Sequence, residues 1–245
     1  MTTYAWTEDG LRRMTEPGGE LRVADSWRQA DGAVRRLDLH RERFVGSVES
    51  CAPGVRAGAF FDAAAAAVPT DGEWFPRVRL MDEELYLDVR PGPPRSPSAV
   101  VHVLPPGDPR RTPRVKGPDM ALAEQLIAQA REQGADEVLY RDEAGLVLEA
   151  GYASLVWWDG DDLCVPSRGL PVLPGVTRTV VEEQARALGM TVREVEATID
   201  DLDGREAWLL NAYQGLRLVT AWVGSEIAPG EGVRFGTWRA ALEEA

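Results

Sequence analysis

The sequence predicts an α+β fold in two parts. Three observations carry this expectation. Short apolar or alternating runs mark strands in both halves of the chain, stretches of helical periodicity interrupt them, and a proline-rich connector separates two regions of different character. The connector, Pro-Pro-Gly-Asp-Pro-Arg-Arg-Thr-Pro at 105–113, is stiff and polar, and it sets the expected organisation: a smaller part over 1–104, the linker, and a larger part over 114–245.

In the first part, Leu21-Arg22-Val23-Ala24 is apolar at alternate positions, Asp31-Gly32 is a turn dipeptide, and Val34 and Leu37 resume the apolar positions, which predicts two short strands around a turn. Leu39 to Val48 follows a helical rhythm with His40 and Arg43 one turn apart, and the alanine-rich run Phe60 to Val68 predicts a second helix. Strands are expected at Arg77–Leu80, Leu85–Val89 and Ala99–Leu104.

After the connector, Asp119 is positioned as an N-cap, Leu122, Ala123, Leu126, Ile127 and Ala130 share one helical face, and Gly134 supplies the stop. Strands follow at Glu137–Arg141, Leu146–Leu148 and Ser154–Trp158. A helix runs from near Thr177 to Gly189, and further strands lie at Thr191–Glu196, Ala207–Asn211 and Leu216–Val223.

The 245 residues, 44% hydrophobic and 27% charged, are ample for a sizeable core. A net charge of −13 disfavours nucleic acid or an anionic membrane as partner, whereas a local arginine cluster can still hold a small anionic substrate. Cys51 and Cys164 have no metal-ligand spacing around them and suggest neither a metal site nor a disulfide framework. The opening Met-Thr-Thr-Tyr-Ala-Trp lacks the basic start and apolar stretch of a signal peptide, and no apolar run is long enough to span a bilayer, so a cytoplasmic location is expected.

Of 27 basic residues, only Lys116 is a lysine. Arginine replaces lysine in surface ion pairs, but guanidinium is never deprotonated and cannot serve as a Schiff-base amine. Leu173-Pro174-Gly175-Val176-Thr177-Arg178 ends at a helix start, where free backbone N–H groups and the helix dipole form an anion site on Val176 and Thr177; a plain helix entry reads the same way. Glu149 closes the apolar strand Leu146-Val147-Leu148 and needs a cationic partner, either an arginine or a protonated pyridine nitrogen. Arg43 could reach a phosphate or be a surface charge.

In order and spacing, His40-x-x-Arg43, Lys116, Gly134-Ala135-Asp136-Glu137, Glu149, Leu173–Arg178 and Leu210-Asn211-Ala212 resemble the class IV aminotransferases, over about Val34 to Val223. This family includes branched-chain and D-amino acid aminotransferases and aminodeoxychorismate lyase. The resemblance implies a two-domain fold type IV enzyme using pyridoxal 5'-phosphate, with a small N-terminal α/β domain, a larger C-terminal α/β pseudo-barrel domain, a small amino substrate and a homodimeric assembly. It implies Lys116 as the Schiff-base lysine and proton shuttle, Glu149 on the pyridine nitrogen, Arg43, Val176 and Thr177 on the phosphate, Leu173 against the ring and Asn211 near the phosphate. Three features depart from the family pattern. Little precedes Val23-Ala24-Asp25-Ser26-Trp27-Arg28, Ala121 stands where branched-chain enzymes have a cofactor-bonding tyrosine, and Ser154 replaces a common asparagine. Ala121 and Asn211 lean the expected reaction toward release of pyruvate from 4-amino-4-deoxychorismate to give 4-aminobenzoate. The alternatives are transamination between an amino acid and a 2-oxo acid, or an inactive family member. A lyase substrate with two carboxylates would use Arg28 and Arg90, with Arg77 and Arg79 also available.

Overall fold

The structure, a computed structural model, describes residues 1–15 and 17–244. Compactness divides it into two units, Met1–Pro94 with Val115–Pro118, and Arg95–Arg114 with Asp119–Ala245. The chain thus changes unit before residue 98 rather than at the proline-rich connector. The reason is pairing: the strand at 98–103 hydrogen-bonds in parallel to two strands of the second unit.

The first unit contains β1 (Thr2–Thr7), β2 (Gly10–Met14), β3 (Leu21–Ser26), β4 (Gln29–Ala30), β5 (Ala33–Val34), α1 (Leu37–Cys51), α2 (Ala57–Ala66), β6 (Glu73–Trp74), β7 (Arg77–Met81) and β8 (Glu84–Val89). Its main sheet is antiparallel, in the order β2-β1-β8-β7-β3. Strand side chains alternate between faces. Val23, Val78, Leu80, Leu85 and Leu87 pack with Phe44 and Val48 of α1 and Phe60 and Phe61 of α2. The opposite face carries Thr3, Ser26, Arg77, Arg79, Tyr86 and Asp88, which the register places in adjacent rows. Trp27 is fully buried and stacks on Phe61 at 5.2 Å between centroids. Burying each such aromatic contributes about 1.5–3 kcal/mol. Asp31 and Gly32 both have positive φ (46° and 81°), as the two-residue turn between β4 and β5 requires. The β1–β2 hairpin, which no periodicity announces, supplies an edge of this sheet.

The second unit contains β9 (Ser98–Val103), α3 (Met120–Arg131), β10 (Glu137–Arg141), β11 (Val147–Ala150), β12 (Ser154–Asp159), β13 (Asp162–Pro166), α4 (Val176–Ala187), β14 (Val192–Val195), a 3-10 turn at Asp200–Leu202, β15 (Ala207–Asn211), β16 (Gly215–Val223) and α5 (Phe235–Glu244). Its eight-stranded mixed sheet runs β11-β10-β9-β16-β15-β12-β13-β14. Both faces are covered, which is why its strands read as nearly continuous apolar runs. Leu155, Trp157 and Leu209 face one core. Val156, Trp158, Trp208 and Leu210 face another, where Trp238 and Leu242 of α5 join them.

Asp119 sits at the N-terminus of α3 but makes no side-chain cap bond. Its carboxylate instead accepts the Arg111 and Thr112 N–H groups and the Thr112 hydroxyl, tying the connector to the helix start. Gly134 and Gly189 end α3 and α4 with φ of 80° and 76°. Among the described residues, no helix is long and apolar enough to cross a membrane.

The piece 115–118 lies along β3. The Ala24 N–H donates to the Lys116 carbonyl at 2.7 Å. Gly117 has φ of 140°, and a Cβ there would stand 2.9 Å from the Ala24 nitrogen and 3.0 Å from Val23 backbone carbons. Backbone cannot swing aside as a side chain can, so Gly117→Ala is expected to lower unfolding free energy by roughly 1–3 kcal/mol in a denaturant titration. Gly54→Ala, equally positive in φ (108°) but with nothing within 4 Å, isolates the conformational part of the loss.

Candidate active site

Lys116 is half-buried at the open edge of β3. One residue further along that strand, Asp25 points to the helix side of the sheet and is fully buried. Its carboxylate accepts Nε and Nη2 of Arg43 at 2.7 and 2.9 Å and lies 2.8 Å from Nδ1 of His40. Burial pushes the Asp25 carboxyl up, but the Arg43 guanidinium and His40 outweigh it and hold the group well below the usual carboxylate range. The one-turn spacing of His40 and Arg43 therefore serves a shared buried carboxylate. Asp25 was legible on the same grounds as Glu149, since a carboxylate inside a buried strand needs a partner.

On the other face of the same sheet, Asp88 is fully buried between Arg77 and Arg79, at 2.8 and 2.7 Å. Arg90 lies over the Phe75 ring at 4.7 Å and donates Nε to the Phe75 carbonyl at 3.0 Å. Arg28 is placed differently, in an ion pair with Glu73 at 2.7 Å beside the small β5-β4-β6 sheet.

In the second unit, Glu149 is buried on β11. Its Oε1 accepts the Leu173 N–H at 2.9 Å and an N–H of Arg110. The arginine foreseen as one possible partner thus comes from the connector, where no periodicity marks it. Arg110 also pairs with Asp108, donates to the Pro171 carbonyl and lies 4.4 Å over the Tyr140 ring. Burial pushes the Glu149 carboxyl up from its ordinary value, against the pull of Arg110 and the Leu173 N–H.

Leu173 leads into Gly175, the residue before α4, whose backbone stands so close to Ser154 that a Cβ would sit 2.4 Å from its hydroxyl. No side chain caps this helix, and the N–H groups of its first turn have no helical acceptor. Val176, Thr177 and Arg178 are all buried there. Arg178 donates Nε to Glu182 at 2.7 Å, while its Nη2 is buried with no hydrogen-bond partner. Hydroxyls, free amides and an orphan guanidinium nitrogen in one helical turn make a donor set for an anion. Asn211 shapes a turn. Its Oδ1 accepts the N–H groups of Tyr213 and Gln214 and closes the β15–β16 connection. Ala121 is exposed on the first turn of α3.

The family described as amino-transferase class IV has a model that matches residues 22–222. The chain belongs to that family. Its similarity to a curated class IV enzyme is modest: branched-chain amino acid aminotransferase 2, chloroplastic, of Humulus lupulus is 27% identical over 261 residues. That match takes in 93% of this chain but 60% of the relative, so the chain spans under two thirds of its length. Among solved structures, a hypothetical aminotransferase from Mycobacterium tuberculosis in its alpha-ketoglutarate- and PMP-bound form superposes with a TM-score of 0.85, 18% identity and full coverage of both chains. A putative 4-amino-4-deoxychorismate lyase from Legionella pneumophila gives 0.81, with 17% identity, over 94% of this chain and 96% of that one. The fold is thus the fold type IV architecture that the motifs implied.

The Asp25 cluster of this class IV chain gives a stability prediction with a definite sign. A carboxyl held low in the folded protein stabilises it above the ordinary value of 3.8, and that stability is lost as pH falls below it. Asp25→Asn removes the fully buried counter-charge of the half-buried Arg43 and is expected to cost up to about 3–5 kcal/mol at pH 7. The variant's stability should also fall less steeply than wild type below pH 4, as read by urea titrations across pH.

Proposed function

We propose that this chain is a pyridoxal-phosphate enzyme acting at the Cα–H bond of an amino substrate, with Lys116 as the residue that carries the cofactor. The observation that carries the reading is the anion-binding first turn of α4, in a class IV chain whose single lysine is Lys116. The residues fit the group: the close approach of Gly175 to Ser154 and the orphan Arg178 Nη2 suit a phosphate, and Glu149 suits a protonated ring nitrogen. When bound, the cofactor supplies an electron sink for the bond broken at Cα.

Lys116 supplies the one side-chain amine able to condense with an aldehyde and, once released, to take the Cα proton. Glu149 would hold the ring nitrogen of the cofactor, its Oε1 fixed by Arg110 and the Leu173 N–H, which counter the cost of burial. Val176 and Thr177 would hold the phosphate through their amides, Arg43, oriented by Asp25, would be a further cation for it, and Leu173 would pack against the ring. The proposed assembly is a homodimer. Borohydride treatment of the protein with pyridoxal phosphate should fix a mass adduct at Lys116 alone, and Lys116→Arg should abolish it. Glu149→Gln should lower turnover by about 100-fold or more while leaving cofactor retention within a few-fold. An adduct at another position, or full turnover in Glu149→Gln, overturns these assignments.

For the reaction itself, lyase-type release of pyruvate from 4-amino-4-deoxychorismate is the first reading, supported by Ala121 at the opening of α3. Transamination is the second, supported by the alpha-ketoglutarate- and PMP-bound form of the similar M. tuberculosis protein. The lyase reading expects sustained turnover with no 2-oxo acid present, and pyruvate and 4-aminobenzoate in equal amounts. Product formation from an amino donor that stops after one equivalent and resumes on adding 2-oxoglutarate identifies a transaminase instead.

A further inference from the structure

We propose that Arg114 is a positioning residue for Glu149, acting through the loop 167–173, an inference that rests on the reading of Glu149 as the partner of the cofactor's ring nitrogen. This loop leads from β13 toward α4 and belongs to neither a helix nor a strand. Its backbone groups must therefore find partners elsewhere. The N–H groups do so within the loop and on nearby acids. Arg168 donates to Glu194 Oε2, Gly169 to the Ser167 hydroxyl, Leu170 to the Ser167 carbonyl, Val172 to the Leu170 carbonyl and Leu173 to Glu149 Oε1. The carbonyls turn to two arginines of the connector. Nη2 of Arg114 lies 3.2, 2.9 and 2.7 Å from the carbonyl oxygens of Arg168, Gly169 and Leu170, as a bound cation would. Nη2 of Arg110 donates to the next carbonyl, that of Pro171, at 2.8 Å.

Four consecutive carbonyls thus face two guanidinium groups. The start of the loop is held independently, by the Ser167 N–H on the Val195 carbonyl and by Arg168 paired with Glu182 and Glu194. Burial of Leu170 and Val172 fixes where the loop lies. The carbonyl bonds fix how its peptide planes are turned, because each plane is rigid and carries its N–H opposite its carbonyl. The path they set ends at the Leu173 N–H, which must point at Glu149.

That direction matters to the carboxylate. Burial pushes the Glu149 carboxyl up from its ordinary value, while Arg110 and the Leu173 N–H pull it back. Glu149 can hold a ring-nitrogen proton only when ionised, so a Leu173 N–H that wanders off weakens that hold. Arg110 touches Glu149 itself, whereas Arg114 bonds the loop. Arg114 is also exposed, so water and salt screen its charge, and its hydrogen bonds are what it contributes.

Two readouts on the full chain test this. The first is hydrogen exchange of the Leu173 amide, followed by NMR without added cofactor. Arg114→Ala is expected to speed it about tenfold, with the core amide of Leu209 unchanged. Arg114→Lys, whose ammonium presents three donors on one nitrogen, should restore it to within about threefold of wild type. The second is the ring-nitrogen chemical shift of bound 15N-labelled pyridoxal phosphate against pH. Arg114→Ala should let that nitrogen lose its proton about one pH unit lower, and Glu149→Gln lower still. Added to Glu149→Gln, Arg114→Ala should cause no further change, because it acts through that carboxylate.

Unchanged exchange at Leu173, equal acceleration at Leu209, or failure of Arg114→Lys to restore protection overturns the positioning role. So does a ring nitrogen that responds to Glu149→Gln but not to Arg114→Ala, or an additive double variant. A ring nitrogen indifferent to Glu149→Gln overturns the reading of Glu149 instead, and the exchange result at Leu173 then still decides whether Arg114 orients the loop.

Discussion

The hydrogen bond from the Ala24 N–H to the Lys116 carbonyl is the constraint on which the rest of the first unit's chemistry depends. It docks a four-residue piece of chain, distant in sequence, onto the edge of β3, and only a glycine at 117 lets the backbones approach that closely. A strand presents alternate residues to opposite faces. Val23 and Asp25 therefore meet the helices, where Asp25 organises His40 and Arg43, while Ala24 and Ser26 share rows with Arg79 and Arg77. One six-residue strand thus aligns the lysine, a buried ion cluster and an arginine-lined face.

A single motif recurs in the electrostatics: one buried carboxylate held by several basic side chains. Asp25 has Arg43 and His40, Asp88 has Arg77 and Arg79, and Glu182 has Arg168, Arg178 and Arg186. Asp88 and Glu182 are each held by more than one arginine, a locally positive balance in a chain whose net charge is −13. Such local clustering of arginine lets an acidic protein offer sites for anionic ligands. The motif also explains the preference for arginine, whose fork makes two directed bonds to one carboxylate and keeps its charge when buried.

Where residues carry a strong period, the sequence was readable. The boundaries of β10 and β15 fall where the apolar runs Glu137–Arg141 and Ala207–Asn211 put them, and α1, α3 and α4 follow their helical stripes and glycine stops. The β1–β2 hairpin was not readable, because Gly10–Met14 is an edge strand with two exposed arginines and little alternation. The last helix was missed because its apolar stripe is short, Phe235, Trp238 and Leu242 among small and polar neighbours. Among the candidate site residues, Lys116 and Glu149 stood out by residue type. Arg110 and the roles of Asp119 and Asn211 did not, because irregular connectors and turns choose side-chain partners by tertiary position, which no periodicity encodes.

The chain's single lysine has a consequence for its life in a cell. Acylation, glycation or isopeptide tagging of a protein normally falls on a dispersed population of surface lysines, most of them dispensable. Here every modification of a side-chain amine must land on Lys116, half-buried against β3. Damage and the proposed cofactor site share one address, so on that reading a modified molecule would be a silenced one, and no bystander lysine dilutes the signal.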